Sequence, residues 1–173
     1  LETYTRIPWA HFKLDNSQAK DSIIYTYRNL SDSTKNVARK FYIENLTEGT
    51  NVLTKVYGNE NVSPFEDFDL ERKETGTLFP STSSETAIFE LRSVINAGLL
   101  AVHEPYRWND TMRYYQEFQY DYAYDDGTPE VGIGLTGTNN GKFAVKYTTL
   151  HADTLRGVNM FFNHVVNDFT SQK

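Results

Sequence analysis

The sequence predicts an all-β protein, with an immunoglobulin-like β-sandwich followed by part of a second β-sandwich. Aromatic residues make up 14% of the 173 positions, and such side chains suit the pleated, half-buried surfaces of sheets. Apolar residues recur with a period of two, which is typical of half-buried strands. No stretch gives a convincing long amphipathic helix. We expect residues 1–120 to form the first domain and residues 121–173 an incomplete second one.

Alternating segments predict the strands of the first domain. Ile23, Tyr25 and Tyr27 share one face of a strand within Asp21–Leu30. After a polar turn, the alternation resumes through Val37–Glu44, which predicts an antiparallel hairpin partner for that strand. Further strands are expected at Ile7–Leu14, Asn51–Tyr57, Phe65–Leu70, Thr86–Ile95 and Thr111–Phe118. About seven strands separated by turns is the pattern of an immunoglobulin-like sandwich.

The last third of the chain predicts a second, smaller β-unit. Asp126-Gly127 is a tight-turn dipeptide, and a glycine-rich loop follows it. Alternation then predicts strands at Lys142–Thr148 and Leu155–Asn163. Two or three strands cannot bury two sheet faces. We therefore expect another part of the assembly to cover this unit.

Composition excludes several classes of function. The formal net charge is -6 and no basic cluster occurs, which argues against a nucleic-acid partner. Cysteine is absent, so the chain has neither disulfides nor cysteine metal ligands. No apolar run approaches the roughly 18 residues of a transmembrane helix. The start lacks an initiator Met and a signal-peptide pattern, so we expect a mature or excised segment.

Four motifs near the C-terminal end resemble those of a known family. They are Tyr122–Glu130 (YAYDDGTPE), Gly132–Gly137 (GIGLTG), Lys142–Tyr147 (KFAVKY) and Asp153–Asn163 (DTLRGVNMFFN). Together they resemble a jelly-roll-like module of large proteins that Bacteroidota export through the type IX secretion route. In that family a YAYDDGTAE motif opens the module and an ADTLRAV…YFN strand follows. The upstream part looks similar to the immunoglobulin-like domain that often precedes this module.

The resemblance implies a location and a set of partners. It implies an extracellular or cell-surface protein that is exported across the outer membrane. The family module continues past its YFN strand, whereas this sequence stops at Lys173. Missing strands would then come from another chain or from further residues. The expected partners are other domains or chains of the same exported assembly, carbohydrate, and the outer-membrane secretion machinery during export.

The leading functional hypothesis is a non-catalytic structural, adhesive or partner-binding segment of a large exported protein. It rests on the family-like motifs and on the lack of a recognisable catalytic constellation. Two alternatives stay open. One is an accessory carbohydrate-binding region of an exported hydrolase, and the other is cargo or a subunit bound to the type IX secretion machinery.

Motifs of catalysis and cofactor binding lack the context that they need. Gly132–Gly137 satisfies the letters of a dinucleotide fingerprint, but it lacks the strand before it and the helix after it that such a site requires. The sequence contains no G-x-S-x-G nucleophile elbow. The histidines lie far apart at His11, His103, His151 and His164. We therefore predict no catalytic residues and no cofactor.

One acidic cluster could hold a structural calcium ion. It consists of Asp121, Asp125, Asp126 and Glu130. Carboxylate oxygens of this kind are calcium ligands, although the spacing does not fit an EF-hand loop. The alternative is that Asp125–Gly127 makes a turn in which Asp126 accepts hydrogen bonds from local backbone amides.

Tyrosines and hydroxyl residues provide two further sets of candidates. Tyr120, Tyr122 and Tyr124 alternate on one strand face, where they form either a buried stripe or an exposed ladder that contacts carbohydrate or a partner. Burial is favoured because large exposed apolar patches are uncommon on monomers. Ser22, Thr111 and Thr154 follow an aspartate and precede an apolar residue. The resemblance implies O-glycosylation there, whereas at a strand start the same pairs could satisfy terminal amides.

Overall fold

The computed structural model describes residues 1–20, 22–73, 78–97, 110–128 and 140–160. Within these ranges the chain forms seven strands and one short helix. The part of the chain that the structure describes contains no helix that is long and apolar enough to cross a bilayer. In chain order the elements are β1 (Ile7–Pro8), α1 (Trp9–Leu14), β2 (Ser22–Arg28), β3 (Lys35–Asn45), β4 (Thr50–Val62), β5 (Asp67–Lys73), β6 (Ala87–Asn96) and β7 (Thr111–Gln119).

The strands form two sheets. The larger sheet has the order β1-β7-β6-β3-β4, and the smaller sheet pairs β2 with β5. The pairing of β1 with β7 is parallel, and the other pairings are antiparallel. The run β7-β6-β3-β4 has the order G-F-C-C′ of a variable-type immunoglobulin sheet, with β2 and β5 in the places of strands B and E. The predicted all-β fold is therefore confirmed.

The two sheets pack face to face around an aromatic core. The ring centres of Tyr25 on β2 and Phe41 on β3 lie 5.9 Å apart across the sandwich. The predicted hairpin of these two strands is therefore wrong, because β2 pairs with β5 while β3 pairs with β4 and β6. The alternation identified the apolar face of each strand correctly. Those faces meet between the layers, where alternation alone does not reveal which strands are neighbours.

The predicted strand at Ile7–Leu14 is also wrong beyond its first two residues. After β1 the chain forms helix α1, which buries Trp9, His11 and Phe12. A helix brings residues three apart onto one face, whereas a strand would point Trp9 and Phe12 to opposite faces. Both rings contact Phe118, at centroid distances of 4.8 Å and 4.5 Å. Tertiary packing of this aromatic pair decides the local structure.

Residues 140–160 contain no strand. The strands expected at Lys142–Thr148 and in the described part of Leu155–Asn163 are therefore wrong for these residues. A strand needs a neighbouring strand for its backbone groups. Here several backbone groups of residues 146–150 bond to tyrosine side chains instead. The division of the chain into two domains at residue 120 stays a prediction.

Candidate functional site

The N-terminal segment and the segment after β7 are tied together by backbone hydrogen bonds. Arg6 and Ala123 form an isolated antiparallel bridge, in which the Ala123 amide donates to the Arg6 carbonyl at 3.0 Å. The Thr5 amide donates to the Ala123 carbonyl at 2.9 Å. This bridge brings Tyr4 beside Tyr122 and Tyr124, although more than 110 residues separate them in sequence. We call these three residues the tyrosine clamp.

The rings of the clamp stack against one another. The ring centres of Tyr4 and Tyr124 lie 4.7 Å apart, and Tyr122 meets Tyr4 edge-on at 5.0 Å. Tyr147 extends the stack at 4.9 Å from Tyr124. Such arrangements contribute about 0.5–1.5 kcal/mol per aromatic pair beyond the area buried. The stack is therefore a stable platform for residues 146–150.

The hydroxyl groups of the clamp bind backbone atoms. The Tyr4 hydroxyl donates to the Thr148 carbonyl and accepts from the Thr148 amide, both at 2.8 Å. The Tyr124 hydroxyl donates to the Lys146 carbonyl at 2.8 Å. The Tyr122 oxygen accepts from the Leu150 amide at 2.9 Å. Three side chains thus supply backbone partners that a neighbouring strand would otherwise provide.

A histidine and an aspartate extend this network. The Tyr122 hydroxyl, which accepts from the Leu150 amide, also forms a hydrogen bond with His11 Nδ1, which lies 2.7 Å away. His11 Nε2 lies 3.2 Å from Asp153 Oδ2. Helix α1 buries the imidazole, whereas the Asp153 side chain is well exposed. The contacts of His11 with Tyr122 and Asp153 therefore link the sandwich to the segment that follows residues 146–150.

Two hydroxyls of the clamp have raised pKa values. Burial raises the pKa of the Tyr122 hydroxyl above its ordinary value. A hydrogen bond to Tyr4, followed by burial, raises the pKa of Tyr124 in the same direction. The two hydroxyls are therefore suited to donating hydrogen bonds at neutral pH.

His151 lies next to this network. Its ring meets His11 edge-on at 6.0 Å. The His151 Nε2 atom is buried and has no hydrogen-bond partner among the described residues. Within the described ranges, no three histidine, cysteine or acidic side chains are arranged to hold a metal ion.

The described members of the predicted calcium site have different partners. Asp121 forms a two-point ion pair with Arg6, with Nε–Oδ1 at 3.0 Å and Nη2–Oδ2 at 2.7 Å. Asp125 and Asp126 instead accept hydrogen bonds from residues two positions onward, as in the turn interpretation. Glu130 lies outside the described residues. A calcium site that includes Glu130 stays a prediction. The glycine-rich motif at residues 132–137, for which we predict no cofactor, also lies outside the described residues.

The three predicted tyrosines do not share one environment. Tyr122 and Tyr124 belong to the clamp, whereas Tyr120 is 71% exposed and donates to Glu85 at 3.0 Å. The expected common buried face is therefore wrong, because Tyr124 is also 39% exposed and Tyr122 is only partly buried. Strand β7 ends at Gln119, so the alternation that the sequence suggested does not continue through residue 124.

The predicted O-glycosylation residues fall at two kinds of position. Ser22 and Thr111 are the first residues of β2 and β7 and are partly buried. Thr154 lies in an exposed segment, and its amide donates to the Asp153 carboxylate. Modification at these residues stays a prediction.

Sequence reasoning missed Tyr4, His11 and Asp153 as site residues. Tyr4 and His11 carry no motif of their own, and the motif that contains Asp153 gives no indication of its contact with His11. Only the bridge between Arg6 and Ala123 and the short helix α1 bring them together. No local pattern could have indicated this grouping.

Comparisons with known proteins give limited similarity. A scan against protein-family models found no match, and neither did a search of curated proteins. The chain is similar to a Bacteroides uniformis beta-glucuronidase structure, with 14% identity and a TM-score of 0.42. It is also similar to a calcium-binding mutant of B. uniformis beta-glucuronidase 2, with 17% identity and a TM-score of 0.38. Each alignment covers 54% of this chain and 11% of the other chain.

Proposed function

We propose that this chain is a non-catalytic structural segment of a large exported protein. In this proposal the immunoglobulin-like sandwich holds residues 140–160 in place for assembly with a further β-module. The observation that carries the proposal is the tyrosine clamp, whose hydroxyls bind the backbone of Lys146, Thr148 and Leu150. Export rests on the family resemblance, and surface labelling of intact cells that make the parent protein tests it.

The held segment carries exposed apolar side chains that support an assembly role. Phe143 and Val145 are 64% and 54% exposed and alternate with smaller or charged residues. Leu155, Val158 and Met160 are exposed farther along the same segment. Contiguous exposed apolar surface commonly marks an interaction site. A neighbouring β-module of the same assembly would bury these side chains, with the clamp setting their position.

The polar groups around the clamp also favour a structural role. The His11 ring contacts both the Tyr122 hydroxyl and the Asp153 carboxylate, and Arg6 and Asp121 form an ion pair. Groups used in this way cross-link segments that are distant in sequence. They stabilise a junction between the sandwich and residues 146–153.

Amide hydrogen exchange tests this proposal directly. In Tyr4→Phe, the Thr148 amide loses its acceptor while the ring stack is kept. We expect exchange at Thr148 to become about five- to tenfold faster, because a hydrogen bond of this kind contributes about 1 kcal/mol. Tyr120→Phe is the matched control, since it removes an exposed hydroxyl outside the clamp. Amides of β6 report on global stability in the same experiment.

The outcomes show whether the Tyr4 hydroxyl holds the backbone of Thr148. Faster exchange at Thr148 in Tyr4→Phe, with β6 and the control unchanged, supports the clamp. Thr148 exchange that is already fast in the unaltered protein would sink the proposal. So would an equal effect in both variants.

A further inference from the structure

The solvent side of the large sheet carries an ordered polar surface. Strand register places Tyr42, Arg92 and Arg113 in one row across β3, β6 and β7. The adjacent row contains Glu44, Glu90 and Tyr115. Residues directly opposite on paired strands share a face of the sheet. We call these six residues the polar face, and they point away from the layer formed by β2 and β5.

Contacts within the polar face are specific. Arg92 lies 2.9 Å from Glu44 and 3.5 Å from Glu90, and its guanidinium stacks 4.8 Å from the centre of the Tyr42 ring. Glu90 also contacts Arg113 Nε at 3.5 Å and accepts from the Tyr115 hydroxyl at 3.2 Å. As a result the Glu90 side chain is only 6% exposed, although it lies on the solvent side of the sheet.

This arrangement is not the one that stability alone favours. Glu44 lies directly opposite Glu90, and Arg92 lies directly opposite Arg113. Like charges in directly opposite positions are destabilising in antiparallel sheets. Diagonal contacts offset that cost and hold the side chains in defined orientations. Ligand recognition requires donors and acceptors that are held in defined orientations.

The charge and composition of the polar face restrict its ligand. Two guanidiniums and two carboxylates give a net charge of zero, so a polyanion gains little from counterion release. The rows contain no aliphatic side chain, whereas the centres of protein interfaces are apolar and depleted of glutamate. What the face offers is an exposed tyrosine ring beside fixed donors and acceptors. That combination matches a sugar, which has an apolar C–H face and many hydroxyls.

Two residues of the face are accessible to such a ligand. Tyr115 is 48% exposed, so its ring can stack against a sugar. The Arg113 side chain is 54% exposed while its Nε contacts Glu90, so the exposed part of the guanidinium can donate to hydroxyl oxygens. Strands β3 and β7 are about 10 Å apart, as two strand spacings. A ligand that spans the face is therefore an oligomer of sugars and not a single one.

We propose that the polar face, with Tyr115 and Arg113 as its exposed contacts, binds a neutral polysaccharide chain. This site is separate from the tyrosine clamp and does not depend on the assembly role of residues 140–160. It also differs from the tyrosines at residues 120–124, two of which the clamp uses.

Binding to defined polysaccharides tests the proposal. The full chain is run in native gels that contain mixed-linkage β-glucan, xylan or galactomannan, with polygalacturonate as the acidic comparison. Calorimetry then measures affinity for any polymer that retards the protein. We expect Tyr115→Ala and Arg113→Gln each to weaken binding about tenfold or more. Tyr120→Ala is the control, because Tyr120 is exposed and lies outside the face.

A second variant keeps the test decisive if Tyr115→Ala does not fold. Tyr115→Phe retains the stacking ring and should retain most of the affinity. Retardation by at least one neutral polymer that depends on Tyr115 and Arg113 supports the site. Absence of binding to all three neutral polymers overturns it, as does binding to polygalacturonate alone. Self-association that Tyr115→Ala abolishes, without any polysaccharide binding, would assign the face to a protein contact and would also overturn it.

Discussion

At the scale of single residues, tyrosine hydroxyls make many of the connections between distant segments. Tyr4 both donates to and accepts from Thr148, which a carboxylate could not do because it only accepts. Aspartates have the complementary role in turns and ion pairs. Asp126 accepts from both the amide and the hydroxyl of Thr128. A hydroxyl suits a junction between two segments, and a carboxylate suits the backbone amides of a turn.

The turn at Asp126 predicts a measurable titration. The Thr128 hydroxyl, followed by its amide, lowers the pKa of the Asp126 carboxyl below the ordinary aspartate value. Thr128→Val removes the hydroxyl and should raise this pKa toward the ordinary value. Carbon-detected NMR titration measures the change. Asp15 is an internal control, since bonds to Ser17 lower its pKa; equal shifts at both aspartates would contradict the assignment.

The sign of the accompanying pH effect follows from the direction of the shift. Because the folded-state pKa of Asp126 is lowered, its contribution to stability is present above the ordinary aspartate pKa. That contribution is lost as the pH falls through the lowered folded-state value. The side chain is well exposed, so solvent screens the interaction.

At the scale of elements, the turns carry the unusual backbone conformations. Gly49, between β3 and β4, has φ +64, and Phe65, between β4 and β5, has φ +57. Glycine adopts this region without steric cost, whereas other L-residues are strained there. The two turns therefore use the same left-handed backbone region, which suits Gly49 and strains Phe65.

These turns predict stability changes of opposite sign. Gly49→Ala should lower the free energy of unfolding by about 1 kcal/mol, since open space around Gly49 leaves backbone strain as the cause. Phe65→Gly should raise it by a few tenths of a kcal/mol up to about 1 kcal/mol, because relief of strain exceeds the entropy cost. Urea denaturation measures both. A stabilising Gly49→Ala would contradict the reasoning.

At the scale of the whole molecule, one aromatic cluster joins helix α1, near the start of the chain, to strand β7, the last strand described. Phe118 on β7 is fully buried and its ring lies 5.2 Å from Phe79 and 6.0 Å from Phe89. Trp9 and Phe12 complete the cluster from α1. Sequence separations of more than 100 residues within it make folding dependent on long-range contacts.

Truncation of this cluster should destabilise the entire sandwich. Phe118→Ala should lower the free energy of unfolding by about 3–5 kcal/mol, from lost burial and the cavity left behind. Val56→Ala is the control, because Val56 is exposed and a surface change of this kind costs about 0.5 kcal/mol or less. Equilibrium unfolding in urea compares them. A loss below about 1 kcal/mol in Phe118→Ala would show that the cluster is not central.

The sequence predicted the strands that depend on local alternation and missed features that depend on distant contacts. Ala87, Phe89 and Leu91 alternate and do form the buried face of β6. The pairing of β2 with β5, however, is decided by how two layers meet, which period-two alternation does not encode. The clamp was missed for a similar reason, since Tyr4 and Tyr122 become neighbours only after the sandwich has formed.

The clamp has an evolutionary consequence for the peptide that it holds. Tyr4 and Tyr124 engage main-chain atoms of Thr148 and Lys146, and the side chain of Thr148 faces solvent. Position 148 can therefore be substituted by almost any amino acid without loss of the hydrogen bonds to Tyr4. Proline is the exception, because it lacks the amide hydrogen that Tyr4 accepts.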